Sequence, residues 1–300
     1  MIDDRVRLTF DGPIARLTLK RPEKLNALDR AMIVALARAA EAIDEARDVR
    51  AAILFGEGKA FSAGGDISAW SDLPPLEMWR DWTRLGHRAF EALARLRVPL
   101  VAALTGHAFG GGLELAATAD IRIAETGVKL GLPETGLAMA PGWSGTQRLV
   151  RRFGAQAVRR MALSGRMFEA EEALLLGLVD EVVAPGEGLA RAEALALAIA
   201  ARGPVAVQIV KSMINSAEGE DRDAPIEGLA GAFTATTRDL GEGVEAFNDK
   251  RSARFEGRGI WRAPAFCFLF EASRARQRRA GNSAHRAAPA AWPRRRRAIQ

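Results

Sequence analysis

The chain has 300 residues, 48% of them hydrophobic, which is enough for one large core and an appendage. A single cysteine, Cys267, excludes a disulfide framework and a thiolate zinc cluster and favours a reducing compartment. No apolar run approaches the roughly 18 residues of a membrane span, and no targeting peptide is recognisable at the N-terminus, so we expect a cytoplasmic protein without membrane contact.

The net charge of +6 is unevenly distributed along the chain. Residues 262–300 contain ten arginines and one acid, a net charge of +9, which leaves residues 1–261 with −3. The same segment is biased towards Arg, Ala and Pro, which predicts a disordered basic tail over 261–300. Such a tail suits nucleic-acid binding, but no aromatic stacking motif accompanies the arginines, so we regard nucleic-acid binding as the less favoured interpretation.

Predicted strands and helices alternate through the first half of the chain. Arg5–Phe10 and Ile14–Leu19 alternate in hydropathy around Asp11-Gly12-Pro13, a pattern typical of a hairpin. Asn26 or Asp29 is the predicted cap of the helix that follows. Further strands are predicted at 51–55, 99–104, 121–124 and 128–130, and helices at about 76–96, 145–152, 155–163, 169–176, 188–201, 204–217 and 226–249. Strands separated by helices favour parallel pairing with crossover connections, which predicts an α/β fold.

A run of three glycines, Gly110 to Gly112 in GHAFGGGLELA, leads from a predicted strand into an apolar helix that carries Glu114. Glycine weakens helices and a lone carboxylate is costly to bury, so both features need a cause. Glycines at a helix start expose N–H groups that a ligand can approach closely. A phosphate loop is one interpretation, although the usual spacing is absent, and an oxyanion site for an enolate is another. Close packing of the helix on the strand would explain such a loop if it stood alone.

Two further segments have a related character. Lys59–Ile67, KAFSAGGDI, also follows a strand with glycines, and two such loops at the ends of neighbouring strands would aim two N–H groups at one oxygen. Gly131–Leu137, GLPETGL, places a second glutamate, Glu134, in an apolar setting, and Pro141–Leu149, PGWSGTQRL, follows it.

Together these segments resemble the enoyl-CoA hydratase/isomerase (crotonase) superfamily over about residues 5–260. The motifs that carry the resemblance are, in family order, RPEKLNAL, KAFSAGGDI, GHAFGGGLELAATADIRIA, LGLPETGL, PGWSGTQRL and EGVEAF. The resemblance implies a crotonase-like spiral of ββα units over 1–200, followed by a C-terminal helical trimerisation region over 201–260. It also implies acyl-CoA thioester substrates and a homotrimer or dimer of trimers. No metal and no separate cofactor are expected, because coenzyme A is part of the substrate.

The resemblance also implies roles for individual residues. The catalytic set would be Glu114, Glu134 and the N–H groups of Gly65 and Gly111, which bind the thioester oxygen. The implied positions for binding CoA and the acyl group are Lys24, Leu25, Ala60, Ala63, Gly64, Asp66, Ile67, Gly142, Trp143 and Lys250. Among these, Lys24 would lie near the CoA phosphates and Lys250 would reach the phosphates bound by a neighbouring subunit.

Two glutamates favour hydration over the related chemistries. A pair of carboxyl groups that hold one water supplies both a base and an acid. We expect Glu114 to activate the water and Glu134 to deliver a proton to C2 of the substrate, with the reverse division of roles as the alternative. Isomerases of this superfamily usually manage with one such carboxylate. A Δ3,Δ2-enoyl-CoA isomerase and a hydratase or lyase for an unusual acyl-CoA remain the alternatives.

Several aromatic residues and one histidine have open roles at this point. His107 is expected to pack or to form a hydrogen bond rather than to catalyse. Trp143 stands where relatives often carry a small residue, and either narrows the acyl pocket or packs under the following helix. Trp70, Trp79 and Trp82 lie in a segment that shapes the acyl tunnel of relatives, with core packing as an equal alternative.

Overall fold

The structure is a computed structural model that describes residues 3–257, so the predicted tail lies outside the described residues. Residues 3–227 form one compact unit, and residues 228–257 belong to a second. In this part of the chain the strands are β1 Val6–Asp11, β2 Ile14–Leu19, β3 Ala51–Gly56, β4 Ala60–Ser62, β5 Leu100–Leu104, β6 His107–Phe109, β7 Ile121–Glu125, β8 Lys129–Gly131, β9 Phe168–Glu169 and β10 Glu181–Val183.

The helices are α1 Arg30–Glu45, α2 Ile67–Trp70, α3 Pro75–Glu77, α4 Arg84–Ala94, α5 Gly111–Ala116, α6 Arg148–Phe153, α7 Ala155–Ser164, α8 Ala170–Leu175, α9 Gly188–Ala200, α10 Pro204–Glu218, α11 Ala224–Thr234 and α12 Arg238–Asn248. A π-helix, Met78–Thr83, joins α3 to α4, and 3-10 turns cover Pro22–Lys24 and Glu134–Leu137. No single helix within residues 3–257 has the length and hydropathy of a bilayer span, and α9 with α10 meets those criteria only as a pair bent by 110°.

Two sheets organise the first unit. The larger has the order β1-β2-β3-β5-β7-β10, in which β1 and β2 form the predicted antiparallel hairpin and the other pairs are parallel. The smaller has the order β4-β6-β8-β9. Consecutive strands alternate between the sheets, since β3, β5 and β7 each precede a strand of the small sheet. The repeated unit therefore consists of one strand in the large sheet, one strand in the small sheet and the helices that follow. The predicted α/β class is confirmed.

The first long helix shows how local sequence starts these units. Asp29 caps α1, because its carboxylate accepts a hydrogen bond from the Met32 N–H at 3.0 Å. Met32, Leu36 and Ile43 recur with helical spacing and are fully buried in the core. Burying each such side chain stabilises the fold by about 1.5–3 kcal/mol.

Two predicted helices differ from the structure. The segment predicted at 76–96 is interrupted by the π-helix, which is common at functional sites. The segment predicted at 226–249 is two helices, α11 and α12, because the hydroxyl of Thr237 caps a new helix by accepting from the Leu240 N–H at 3.3 Å. The predicted site residue Lys250 follows α12 in the second unit, where it is exposed with a φ of 53°.

Candidate active site

The two glycine loops meet, as the sequence predicts. They follow β4 and β6, which pair in parallel with Ala60 opposite His107. A Cβ added to Gly64 would lie 3.0 Å from the nitrogen of Gly111, and one added to Gly111 would lie 3.4 Å from the nitrogen of Gly65. Within residues 3–257, neither the Gly65 N–H nor the Gly111 N–H donates a hydrogen bond to a protein acceptor. Two neighbouring donors are thus left available to one acceptor.

Each glycine of the run that precedes Glu114 has its own steric cause. Gly110 has a φ of +54°, and a Cβ there would lie 2.7 Å from Oε1 of Glu134. A Cβ on Gly111 would lie 2.6 Å from the Trp143 ring. A Cβ on Gly112 would collide with the carbonyl oxygen of Ser62 in β4. The glycines therefore allow one glutamate, one tryptophan and one strand to approach the start of α5.

Glu114 lies in the first turn of α5 and is 2% exposed. Its Oε1 accepts hydrogen bonds from the N–H of Trp143 at 2.7 Å and of Gly145 at 2.6 Å. Burial raises the pKa of Glu114 to about 7, the two N–H donors oppose the rise, and the nearby charge of Glu134 adds to it. A carboxyl group with this pKa can both accept and release a proton near neutral pH.

Glu134 opens the 3-10 turn that follows β8. Its Oε1 lies against Gly110, and its Oε2 is buried without a hydrogen-bond partner among residues 3–257. Burial raises the pKa of Glu134, while its own backbone N–H opposes the rise. The unpartnered oxygen is free to exchange a proton with a ligand.

One cavity of about 340 Å³ joins these groups. Its lining includes both donor glycines, both glutamates and Gly142, and it also contains Trp70, Met78, Trp82, Thr83, His87, Met139, Ala140, Pro141, Trp143 and Gln147. A side chain at Gly142 would project into open space. The predicted catalytic set therefore surrounds a single space.

Trp143 lines the cavity and is 3% exposed. It packs against the π-helix and α4, because its ring centroid lies 5.1 Å from that of Trp82 in the π-helix and 5.3 Å from that of Phe90 in α4. We call Trp82, Phe90 and Trp143 the aromatic cluster. A Cβ on Gly65 would lie 3.1 Å from Trp82 and 3.3 Å from Trp143, so the two rings leave little room for a side chain at this position. Trp79 is 58% exposed and does not line the cavity.

The predicted CoA-binding residues of the first unit differ in exposure. Lys24, Leu25, Ala63 and Ile67 are exposed, and the Ala63 N–H donates to the Leu25 carbonyl at 2.9 Å. Gly64 is buried behind them with a φ of +95°.

Two other predicted CoA-binding residues already have protein partners. The carboxylate of Asp66 caps α2, accepts from the Ser68 hydroxyl at 2.7 Å and pairs with Arg21 at 2.8 Å. The hydrogen bond from Ser68 and the charge of Arg21 hold the pKa of Asp66 below its usual value, against burial. The carbonyl of Ala60, which is buried in β4, accepts from Asn26.

Asn26 is a supporting residue whose role the sequence did not reveal. Its Nδ2 donates to the carbonyls of Glu57 at 2.9 Å and Ala60 at 2.8 Å, and its Oδ1 accepts from the Arg21 N–H at 2.8 Å. Ser62 donates its hydroxyl to the Asn26 carbonyl at 2.8 Å. These hydrogen bonds hold the Lys24–Leu25 turn beside β4, the strand that precedes the first glycine loop. The place of Asn26 in the RPEKLNAL motif was the signal that the sequence offered, and in the structure Asn26 has a φ of 54°, which asparagine adopts more readily than most residues.

Two histidines have structural contacts. His107 accepts a hydrogen bond from the Lys129 N–H at 3.0 Å and stacks on Phe109, so the expected packing or hydrogen-bonding role is confirmed. His87 lines the cavity, lies 3.1 Å from the hydroxyl of Ser144 and was not singled out by the sequence. Ser144, with a φ of 80°, stands between the two residues whose N–H groups hold Glu114.

Comparisons with known proteins agree with this geometry. Residues 9–258 match the family model for enoyl-CoA hydratase/isomerase. A crotonyl-CoA hydratase of Syntrophomonas wolfei is 35% identical over 85% of this chain and 99% of its own, and a short-chain-enoyl-CoA hydratase of Clostridium acetobutylicum is 37% identical over 83% and 96%. The crystal structure of an enoyl-CoA hydratase from Bacillus anthracis superposes with a TM-score of 0.70 at 32% identity, covering 85% of this chain and all of that one. The chain belongs to the enoyl-CoA hydratase/isomerase family.

Proposed function

We propose that this protein is an enoyl-CoA hydratase, a hydro-lyase that adds water across the 2,3 double bond of a 2-enoyl-CoA thioester to give a 3-hydroxyacyl-CoA. The observation that carries the proposal is the meeting of a buried carboxyl group, Glu114, and a half-buried one, Glu134, with two unused N–H donors in one cavity. The hydratase names of relatives at 35–37% identity support it.

In the proposed mechanism the thioester oxygen accepts hydrogen bonds from the N–H groups of Gly65 and Gly111. These donors stabilise the negative charge that develops on the oxygen as the double bond is attacked. The carboxylate of Glu114 takes a proton from water, and the water oxygen bonds to C3. The electron pair of the double bond moves towards the thioester, and Glu134 delivers a proton to C2. The product contains one more water molecule than the substrate. Glu114 gains one proton and Glu134 loses one, so the total number of protons on the pair is unchanged.

The positions of the two glutamates suit this division. Oε1 of Glu114 is engaged by two N–H groups, so its Oε2 is the atom that would meet the water. Glu134, whose pKa is also raised, offers the unpartnered Oε2 as the proton donor. We propose neither a metal nor a separate cofactor, because acid, base and oxyanion donors are all supplied by the chain.

The CoA part of the substrate would lie on the exposed surface beside the first glycine loop. Lys24 would approach its phosphates there, with Leu25, Ala63 and Ile67 forming the exposed surface and the buried residues Ala60, Gly64 and Asp66 supporting it. Lys250 would reach the phosphates of CoA bound to a neighbouring subunit. We propose that the protein is located in the cytoplasm, which cell fractionation would test.

We propose that the enzyme assembles as a homotrimer or a dimer of trimers. Large apolar side chains of α10 are exposed, among them Val205, Val210, Met213 and Ile214, and a cavity of about 670 Å³ lies along the same helix, away from the glutamates. Contiguous exposed apolar surface of this kind is typical of an interface. Light scattering coupled to size-exclusion chromatography gives the subunit number, and a monomer at micromolar concentration would refute the assembly.

The proposed activity is tested by following the ultraviolet absorbance of the enoyl thioester with crotonyl-CoA. Glu114→Gln and Glu134→Gln keep the shape of each side chain but remove proton transfer, so each should lower turnover by at least about 100-fold. Affinity for a saturated acyl-CoA should change little. Loss of activity in only one variant, together with wild-type migration of a 3,4 double bond faster than hydration, would establish the isomerase instead.

A further inference from the structure

We propose that the aromatic cluster closes the acyl end of the cavity and restricts the enzyme to short 2-enoyl-CoA thioesters, with Trp143 as the residue that sets the limit. This inference rests on the proposed hydratase function, because it assumes that the thioester oxygen lies between the Gly65 and Gly111 donors.

The indole of Trp143 lies directly beside both donors. Its ring atoms are 2.6 Å from where a Cβ of Gly111 would stand and 3.3 Å from where a Cβ of Gly65 would stand. Trp143 is also joined through its backbone N–H to Glu114, the group that would activate water at C3. A substrate placed between donors and glutamate therefore has this ring next to its reacting carbons. Acyl carbons beyond C3 must pass it.

The ring has no room to withdraw. Trp82 lies against it at 5.1 Å between centroids and Phe90 meets it edge-on at 5.3 Å, and both are buried with it. On the side of α4 it is packed so closely on Gly86 that a Cβ there would collide with Nε1 of Trp143. Because protein interiors are close-packed, moving the indole would require α4 or its neighbours to move as well.

The size of the cavity agrees with a short acyl group. At about 340 Å³ it is near the lower end of the 300–1,000 Å³ that ligand cavities usually span. This space must also contain the water and the thioester. Leu25, Ala63 and Ile67, at the proposed CoA surface, are exposed to solvent. The buried aromatic cluster is therefore the part of the site that would limit the length of the acyl chain.

The experiment compares kcat/KM for crotonyl-CoA and for trans-2-decenoyl-CoA in the wild type, Trp143→Ala and Trp143→Leu. We expect the wild type to prefer crotonyl-CoA, and each variant to shift the ratio towards decenoyl-CoA by at least about tenfold, since excluding even one methylene is worth about that much. Trp79→Ala, which removes an exposed tryptophan from the adjoining π-helix, is the matched control and should leave the ratio unchanged.

Calorimetric binding of butyryl-CoA and decanoyl-CoA separates this inference from the proposed function, because saturated thioesters need no turnover. Weak binding of decanoyl-CoA to the wild type and stronger binding to the Trp143 variants supports the limit. Equal use of both enoyl substrates by the wild type, or an unchanged preference in folded Trp143 variants, overturns it while hydration stands. A wild type that binds butyryl-CoA more tightly than decanoyl-CoA but hydrates no enoyl-CoA overturns the proposed function and leaves the acyl limit supported.

Discussion

Glu114 and Glu220 are buried to nearly the same degree, at 2% and 4% exposure, yet they have opposite surroundings. Glu114 accepts hydrogen bonds from two backbone N–H groups, and the nearby charge of a second carboxyl group, Glu134, raises its pKa. Glu220 accepts hydrogen bonds at 2.6 Å from Arg148, which is itself fully buried, and at 2.6 Å from Arg151. The first lies at the proposed reaction centre, and the second joins the end of α10 to α6.

The difference shows that partners, and not burial, decide what a buried carboxyl group does. Burial acts on both groups, and it raises the pKa of Glu114 to about 7 because no cation offsets it strongly. At Glu220 the hydrogen bonds and charges of the two arginines outweigh burial and lower the pKa to about 2. The first group is suited to proton transfer, and the second is a permanently charged link within the fold.

The largest effect is expected from Glu220→Gln, which leaves Arg148 buried without a countercharge. Removing one partner of a buried ion pair typically costs about 3–5 kcal/mol of unfolding free energy, to be measured by urea denaturation at pH 7. Glu172→Gln, which breaks the partly exposed pairs with Arg160 and Arg166, is the control and should cost no more than about 1 kcal/mol. Equal losses of unfolding free energy in the two variants would show that the buried pair contributes no more to stability than the partly exposed ones.

The next effect is a stability gain in Glu114→Gln at alkaline pH. Glu114 has a pKa of about 7 in the folded state against 4.5 as its ordinary value, so the folded protein binds more protons between these values and loses stability as pH rises through them. Glutamine keeps an oxygen that accepts both N–H groups but carries no charge. We expect the variant to be more stable than the wild type by up to about 3 kcal/mol above pH 7, with no such gain below pH 4.5.

Urea denaturation at pH 4.5 and pH 8 gives this difference. Glu220 has the opposite sign, because its lowered pKa contributes stability above pH 4.5 that is lost as pH falls towards 2. A Glu114→Gln protein that is less stable than the wild type at pH 8 would mean that the glutamate is held ionised, as Glu220 is.

The smallest effect links the two sites through Arg148, whose positive charge lowers the pKa of Glu114. In Glu220→Gln that charge is no longer offset, so the pKa of Glu114 should fall further. Turnover of the wild type should decline as pH falls below about 7, because Glu114 must be ionised to accept a proton from water. In the variant the midpoint of this decline should move to lower pH by less than about one unit. A midpoint that moves to higher pH would contradict the link.

Much of the framework followed from local sequence patterns. The hairpin around Asp11-Gly12-Pro13, the cap at Asp29 and the strand-then-glycine loops each depend on residues that lie within a few positions of one another. The short strands β4, β6, β9 and β10 were not predicted, because two or three residues give no alternation to recognise and the strands exist only through their partners.

The character of the site was decided by tertiary structure. The sequence alone indicated the two glutamates and the two glycine loops, since these residue types stand out against apolar surroundings, and the resemblance to the enoyl-CoA hydratase/isomerase superfamily implied which two glycines are the donors. It did not indicate that the N–H groups of Trp143 and Gly145 hold Glu114, that Asn26 fastens the turn beside the first loop, or that Trp143 packs on α4. These contacts join residues at least 29 positions apart, so no local pattern records them. Whether a buried glutamate is poised for proton transfer or fixed as a charge depends on such contacts, because only the folded chain brings two arginines into hydrogen-bonding contact with Glu220 and two backbone N–H groups into contact with Glu114.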